Sequence, residues 1–482
     1  MIKPNRFIGD KRFYAAVVAV VLPIIIQNTI TNFVSFLDNI MVGRVGTEQM
    51  SGVSIANQLV FVFNLCIFGG LSGPGIFGAQ FFGQKNHEGV RHTFRFKLYV
   101  VLIVSAIGIT VFSVFGPQLL SLYMNETGDG SDLQLTFESA KSYLNIIIWG
   151  LLPFGLVQTY ATSLRETGET LLPMRASITA VLTNLVFNYL LIFGKFGFPQ
   201  MGASGAALAT VLSRYVELIF VVIGTHTKLY KFPFFKGVYR SLRIPLDLAK
   251  KITLKGIPLL LNEGLWSMGM ATLTQSYSLR GLSVVAAFNI ESTVFNIFSV
   301  VFMSMGNAVS IMVGQALGAG NAEEAKTTDY RLFTVAIFSC FVMGVLLFGV
   351  SRYIPYIYNT TDTVRSLATI LIRVCACCMP LYAFSHCAYF TLRSGGKTIL
   401  TFCFDSGYTW LISVPIAFVL TRFTNWDIVL IFICVELANL IKAAFGFILV
   451  KKGIWIRNIV DDIASEKPAD ILPVSPSTLP ES

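Results

Sequence analysis

The sequence contains few charged residues: Asp, Glu, Lys and Arg make up 13% of its 482 residues, whereas soluble proteins average about 25%. It also lacks the phosphate-binding motif GxxxxGK[ST], the zinc motif HExxH and the nucleophile motif GxSxG. These absences argue against an ATP-driven pump and against an enzyme. Hydrophobic residues make up 54% of the chain and the mean hydropathy is +0.68, which is typical of a protein embedded in a membrane.

Long apolar stretches recur along the chain, and a helix needs about 20 apolar residues to cross a bilayer. Eight stretches contain no charged residue: 13–37, 49–84, 98–125, 142–164, 176–194, 292–322, 332–351 and 374–392. Four further apolar stretches contain embedded charges: 203–226, 250–281, 398–421 and 427–450. We therefore predict twelve transmembrane helices, with 49–84 and 292–322 each containing one helix and a loop. The first stretch is longer than a signal-peptide core and is expected to remain as an anchor.

The net charge of +10 follows the predicted topology. Basic residues precede the first helix, lie between the second and third, and are most frequent between the sixth and seventh. The loop after the third helix instead contains Glu126, Asp129 and Asp132. Because Lys and Arg favour cytoplasmic loops, we predict that both termini are cytoplasmic and that the basic residues do not bind nucleic acid.

An internal repeat divides the chain into two halves. The segment 79–88 (AQFFGQKNHE) matches 314–323 (GQALGAGNAE) without a gap, and 163–170 (SLRETGET) matches 391–398 (TLRSGGKT). Since each half contains six helices, the halves run in the same direction across the membrane. We predict an N-terminal lobe at 1–224, a basic linker at 225–249, a C-terminal lobe at 250–460 and a disordered tail at 461–482, with the substrate between the lobes.

Four acidic residues in or beside the predicted helices are functional candidates, since a charge inside a membrane helix costs about 2.5–3.5 kcal/mol on insertion scales. They are Asp38, Glu263, Glu291 and Asp405. None has an obvious partner in its own helix. A buried carboxylate can take up and release H⁺ or Na⁺, so these residues are candidates for ion coupling.

Other polar residues are interpreted as structural. Arg214 and Glu217 are three residues apart and are predicted to pair on one helix face. Glu436, Lys442 and Arg373 are predicted to form salt bridges between helices, and the cysteines, including Cys375, Cys377 and Cys378, are interpreted as apolar filler. Asn184 and Asn188 share one face of the fifth helix, where their amides either bind an ion or join helices.

Several segments resemble the multidrug and toxic compound extrusion (MATE) family, in its bacterial form, over nearly the whole chain. They are 37–46 (LDNIMVGRVG), 79–91 (AQFFGQKNHEGVR), 184–207 (NLVFNYLLIFGKFGFPQMGASGAA), the two repeated blocks at 163–170 and 391–398, and 450–460 (VKKGIWIRNIV). The resemblance implies a V-shaped antiporter of twelve helices.

The resemblance also implies roles for individual residues. Asp38 stands at the family's first-helix aspartate, with Asn184 and Asn188 as its polar partners, and Glu263 looks like the seventh-helix acid. The tenth helix, which carries an acid in other branches, has Tyr382 and His386 here, and Asp405 is the substitute from the eleventh helix. The expected ion-coupling residues are thus Asp38, Asn184, Asn188, Glu263 and Asp405; the expected substrate-binding residues are Asp38, Glu263, Glu291, Tyr382 and His386.

The function implied is export of organic, often cationic, compounds in exchange for Na⁺ or H⁺, by a monomer in the cell membrane that needs no cofactor. Na⁺ would bind at Asp38 or Glu263, and no other metal is expected. A lipid or polysaccharide-precursor flippase of related fold is the alternative. A membrane-embedded enzyme or receptor is the alternative from another class, although no catalytic cluster or large extramembrane domain is visible.

Overall fold

A computed structural model describes residues 7–123 and 133–461, without the side chains of 34–36 and 39. The predicted acidic loop at 126–132 and the predicted tail after Asp461 lie outside these ranges. Six helical segments form the N-terminal half: α1 (Lys11–Gly43), α2 (Thr47–Gly83), α3 (His87–Ser121), α4 (Leu133–Glu166), α5 (Leu171–Phe193) and α6 (Ala203–His226). Six form the C-terminal half: α7 (Leu246–Ser278), α8 (Leu282–Gly318), α9 (Ala322–Val350), α10 (Asp362–Ser394), α11 (Thr398–Phe423) and α12 (Ile428–Lys451).

Two of these segments are not regular α-helix throughout. A short 3₁₀ turn at Ile148–Gly150 interrupts α4, and α11 is π-helical at Cys403–Gly407 and Thr409–Ser413. In the described residues, eleven helices are long and apolar enough to cross a membrane. The exception is α7, in which Asn262 and Glu263 interrupt the apolar sequence. The all-helical fold and the two six-helix halves are as predicted.

The stretch 49–84 differs from the prediction, because it belongs to one continuous helix, whereas 292–322 contains the end of α8 and the turn at 319–321, as predicted. The linker is also shorter than predicted: α6 ends at His226 and α7 begins at Leu246. It packs against the N-terminal half, where Arg95 donates a 2.9 Å hydrogen bond to the Val238 carbonyl and Phe235 is buried.

The repeat is visible in the backbone. Asn86 and Asn321, which occupy the same position in the two repeated segments, cap the starts of α3 and α9 by accepting hydrogen bonds from Gly89 N and Glu324 N. The residues before them, Lys85 and Gly320, both have a left-handed conformation with φ of 57° and 75°. The repeated sequence therefore specifies the same helix–turn–helix in each half.

The two halves share hydrophobic cores at one face only. Val17–Ile24 of α1 pack with α8, α9 and α10, and Leu248–Leu259 of α7 pack with α2, α3 and the linker. Two further clusters each belong to one half alone: one around Val53 and Ile192, the other around Leu273 and Val435. The halves therefore meet along one face and diverge toward the other, which produces a V shape.

We call the closed face the linker face; it contains residues 227–245 and the ends of α2, α4, α8 and α10 at Gly83, Glu166, Gly318 and Ser394. Glycines permit the contact there. A Cβ added to Gly73 of α2 would stand 2.5 Å from the Cα of Gly256 in α7, so the two helices cross backbone against backbone.

Candidate functional site

Asp38 lies at the centre of a polar cluster in the N-terminal half. Asn184 and Asn188 of α5 face it from the same side, and both side chains are buried. Asn188 Nδ2 lies 2.5 Å from Asp38 Oδ1 and 3.0 Å from Asn184 Oδ1. Asn184 in turn lies 3.3 Å from the hydroxyl of Thr210 in α6. The structure thus brings together the three predicted residues and adds Thr210, which the sequence had not indicated.

The contacts among the three side chains depend on which atom each amide presents, and Asn188 Oδ1 is buried without a hydrogen-bond partner among the described residues. The Asn184 amide atom that faces Asn188 also lies 3.0 and 3.2 Å from the two Asp38 carboxylate oxygens. An ionised carboxylate only accepts hydrogen bonds. If Asn184 presents its oxygen, two oxygens face each other at Asp38. If Asn184 presents its nitrogen, that nitrogen lies against the Asn188 nitrogen. Rotating the Asn188 amide removes this contact but places the Asn188 oxygen against Asp38. Every arrangement leaves one contact between like atoms.

Glu263 lies between the halves on α7. A Cβ added to Gly69 of α2 would stand 3.4 Å from Glu263 Cγ, so its side chain faces the N-terminal half. Its electrostatic neighbours are Arg393, Asp405 and Tyr389. A Cβ at Gly69 would first meet Leu260 Cα and Cδ1, both at 2.8 Å, so Glu263 lies beside a close contact between α2 and α7.

Asp405 is part of an ion pair. Lys442 Nζ of α12 lies 2.7 Å from Asp405 Oδ1, and Asn262 Nδ2 of α7 lies 3.0 Å from Oδ2. The prediction that Lys442 reaches a neighbouring helix is confirmed. Because Asp405 already has a cationic partner, its arrangement differs from that of Asp38, for which no basic partner is present among the described residues.

Glu291 and Tyr382 lie in a second polar group of the C-terminal half. Cys375 Sγ donates to Glu291 Oε1 at 3.0 Å, so the interpretation of Cys375 as apolar filler is wrong. Tyr382 donates a 2.5 Å hydrogen bond to Glu436 Oε2. Glu436 was predicted to form a salt bridge; it is instead bonded to this hydroxyl and, at 3.1 Å, to Asn439.

Aromatic rings surround this group. Phe302 packs edge-on against His386 with ring centroids 5.4 Å apart, and Phe295 packs edge-on against Tyr382 at 5.4 Å. Phe390 lies 5.0 Å from His386. His386 therefore lies among aromatic side chains close to the carboxylates, which is a surface suited to an organic cation.

Two charged residues have other partners than predicted. Arg214 donates to the Gly150 carbonyl at 3.1 Å and lies over the Phe154 ring, while Glu217 accepts a 2.5 Å hydrogen bond from Ser177. Arg214 and Glu217 therefore form no direct salt bridge among the described residues, although their charges interact as predicted. Arg373 was also predicted to form a salt bridge. In the described residues it has none and instead donates to Ser351 at 3.1 Å.

A polar network recurs in both halves with different charges. In the N-terminal half Gln27 donates to Ser177, which donates to Glu217. In the C-terminal half Asn262 donates to Asp405, which pairs with Lys442.

The members of the two networks occupy equivalent positions. Gln27 and Asn262 are separated by the same number of residues as the repeated segments 79–88 and 314–323. Ser177 lies seven residues after the block 163–170, and Asp405 lies seven residues after the block 391–398. Glu217 and Lys442 are each the fifteenth residue of a 24-residue helix. The repeat thus preserves the positions of the polar side chains while changing their charges.

Comparison with known proteins agrees with this architecture of two related six-helix halves. The MatE family profile matches residues 23–190 and 258–420. The chain therefore belongs to the MATE family, whose members are transport proteins.

Among curated relatives, the probable multidrug resistance protein NorM of Thermotoga maritima is 22% identical over 442 residues, which cover 91% of this chain and 92% of that protein. The probable multidrug resistance protein YoeA of Bacillus subtilis is 26% identical, with coverages of 84% and 87%. A solved structure described as the outward-facing conformation of a multidrug resistance MATE family transporter has a TM-score of 0.79 and 20% identity, with coverages of 92% and 96%. A transporter of the same superfamily from Pyrococcus furiosus has the same TM-score and coverages, with 19% identity.

Proposed function

We propose that this protein is a secondary antiporter that exports organic, often cationic, compounds across the cell membrane in exchange for Na⁺ or H⁺. The observation that carries the proposal is the cluster of Asp38, Asn184 and Asn188, in which a carboxylate has amide partners but no basic partner among the described residues. Membership of the family supports transport, and the names of the NorM and YoeA relatives support multidrug export.

A bound cation would supply the positive charge that Asp38 lacks among the described residues. A proton on Asp38 turns the carboxylate into a donor toward the Asn184 oxygen. Na⁺ placed between Asp38 and Asn184 binds both oxygens at once. Either cation therefore stabilises one arrangement of α1 against α5, and a ligand that prefers one state shifts the equilibrium between states. Asp38, Asn184 and Asn188 are the proposed coupling site of the N-terminal half.

In the C-terminal half, Glu263 is the stronger coupling candidate. Asp405 already pairs with Lys442, so binding an external cation there requires displacing the ammonium group. Glu263 instead faces the junction of the halves, where it responds to their separation.

The proposed substrate site combines carboxylates with aromatic rings in the cleft. Asp38, Glu263 and Glu291 supply negative charge, and Tyr382 and His386 supply ring faces, supported by Phe302. An organic cation gains from both kinds of contact. Competition between the substrate and Na⁺ or H⁺ for the same carboxylates then couples their opposite movements.

We further propose a monomer in the cell membrane with the linker face and both termini in the cytoplasm. The support is the distribution of Lys and Arg, which are concentrated in and beside the linker. The V then opens toward the outside. Uptake of substrate from the cytoplasm requires a second state in which the linker face is open.

The test is uptake of ethidium into everted membrane vesicles under an imposed gradient of Na⁺ or of pH. The wild type is expected to accumulate the dye when the gradient favours cation movement out of the vesicle lumen, and Asp38→Asn and Glu263→Gln are expected to lose coupled accumulation. Asp362→Asn, at a side chain 90% exposed, is the matched control and should retain it. Accumulation by a variant carrying both D38N and E263Q at the wild-type rate would exclude these two residues as the coupling groups.

A further inference from the structure

Two glutamines connect the halves at the linker face in a reciprocal way. Gln80 Nε2 of α2 donates to the Ser394 carbonyl at the end of α10, at 2.9 Å. Gln315 Nε2 of α8 donates to the Glu166 carbonyl at the end of α4, at 2.7 Å. Each hydrogen bond passes from one half to the other.

The two hydrogen bonds are related by the internal repeat. Gln80 and Gln315 are each the second residue of the repeated segments 79–88 and 314–323. Glu166 and Ser394 are both the fourth residue of the repeated blocks 163–170 and 391–398. Donor and acceptor therefore occupy equivalent positions in both halves, as expected for a contact formed across a two-fold axis.

Glycines bring the two backbones into contact beside these glutamines. A Cβ added to Gly83 would stand 2.0 Å from the Gln315 carbonyl oxygen, and one added to Gly318 would stand 1.9 Å from the Gln80 carbonyl oxygen. These distances are far below van der Waals contact and involve backbone atoms. Only glycine at both positions allows the linker face to close to this degree.

The acceptor carbonyls belong to the last turn of their helices, where no intrahelical donor follows. Polar residues of the third helix in each half hold these ends in place. Lys97 of α3 contacts Ser163 at 3.1 Å and Glu166 at 2.7 Å, and Asp329 of α9 accepts a 2.6 Å hydrogen bond from Thr391. Ser163 and Thr391 are again equivalent positions in the repeat.

The segment after α12 makes the contact asymmetric. Ile459 N donates to Gln80 Oε1 at 2.9 Å, and Gln80 Nε2 also lies 3.3 Å from the Arg457 carbonyl. The side chain of Gln80 is fully buried. It forms hydrogen bonds with three backbone groups of the C-terminal half, whereas Gln315 forms one with the N-terminal half.

We propose that Gln80 and Gln315 are a reciprocal latch that holds the linker face closed in one state of the transport cycle and separates in the other. The proposal rests on the transport function inferred above. Each glutamine amide can donate its hydrogen bond to the helix-end carbonyl only while the two halves are in contact. Opening this face exposes both groups to water, so loss of the latch favours the state in which the linker face is open and the opposite face is closed.

The test is hydrogen–deuterium exchange of the full chain in lipid nanodiscs, because amide exchange reports the population of the open form. Segments 79–86, 314–321 and 391–397 report the linker face, and 44–52 and 279–286 report the opposite face. In Gln80→Ala we expect exchange at the linker face to rise about tenfold, and in Gln315→Ala about threefold, since the latter loses fewer hydrogen bonds. Exchange at the opposite face should fall in both variants.

Protection of the opposite face separates a latch from a local packing defect, which raises exchange around the substitution alone. Gln80→Glu keeps the acceptor for Ile459 N but sets a buried carboxylate oxygen against the Ser394 and Arg457 carbonyls, so it should open the linker face at least as much as Gln80→Ala. Gln118→Ala, at an exposed position of α3, is the control and should match the wild type.

Faster exchange at the linker face without slower exchange at the opposite face overturns the proposal, as does unchanged exchange at both faces in either alanine variant. The measurement needs no substrate or ion gradient. It therefore fails or succeeds separately from the vesicle assay of transport.

Discussion

The contacts around Asp38 predict that cations stabilise the folded protein through this cluster. Without a bound cation, Asn188 Oδ1 is buried and has no hydrogen-bond partner among the described residues. Leaving a buried polar group unsatisfied costs about 1–3 kcal/mol. In Asp38→Asn three amides can donate around a ring, so the variant should be more stable than the cation-free wild type by about the same amount.

The assay is the free energy of unfolding in detergent micelles at constant ionic strength, with Na⁺ replaced by K⁺, and a parallel pH series without Na⁺. A cation present at a hundred times its dissociation constant stabilises the folded state by about 2.7 kcal/mol. The wild type should show such a gain with Na⁺ or with protons, and Asp38→Asn should lose the part of it that Asp38 contributes, while Glu263 keeps its own part. Asp362→Asn, an exposed carboxylate, should behave as the wild type. The reasoning is refuted if Asp38→Asn retains the full cation dependence.

Three further substitutions test the surrounding structure. Lys442→Met leaves Asp405 without its ammonium partner at 2.7 Å and should lower the free energy of unfolding by about 3 kcal/mol. Adding Asp405→Asn should restore most of this loss. Equal stability of Lys442→Met and the wild type would contradict the pairing. Tyr382→Phe removes the donor to Glu436 and should cost about 1.5–3 kcal/mol, measured the same way, with an unchanged value speaking against this bond. Gly83→Val places a side chain against the Gln315 carbonyl and should prevent closure of the linker face, seen as faster amide exchange at 79–86; wild-type exchange would exclude the close contact.

The helices and their repeat could be predicted from the sequence because both depend on local information. Uncharged stretches define where a helix can cross the bilayer, and Asn86 and Asn321 carry the same cap at equivalent positions of the repeat. Asn184 and Asn188 could be placed on one face from their four-residue separation. The stretch 49–84 is longer than a helix needs to cross the bilayer, which suggested a loop, but it belongs to a single helix whose glycines contact the other half.

The partners of the charged residues could not be predicted, because they depend on how helices pack. Arg214 and Glu217 have the spacing of a helical pair, yet the 3₁₀ turn at Ile148–Gly150 exposes the Gly150 carbonyl, which accepts from Arg214. Glu217 then bonds to Ser177 on a different helix. Neither the turn nor the helix contact leaves a pattern in the sequence around these residues.

At the spacing of the repeated segments, Leu273 corresponds to Asp38 and Asn28 to Glu263, so these two acids do not recur between the halves. The networks Gln27–Ser177–Glu217 and Asn262–Asp405–Lys442 occupy equivalent positions with different charges. Their relation appears only when three helices are aligned separately, because insertions between them change the spacing. The two halves therefore share the placement of polar groups, while their charges suit different tasks.

Antiport is tested most directly in sealed proteoliposomes that contain the purified chain and no other energy source. An imposed ethidium gradient should drive Na⁺ or H⁺ in the opposite direction, against its own gradient, as measured with ²²Na⁺ and with a pH-sensitive dye inside the vesicles. The account predicts uphill cation movement in the wild type and none in Asp38→Asn. Ethidium movement without any cation movement in the wild type would contradict it.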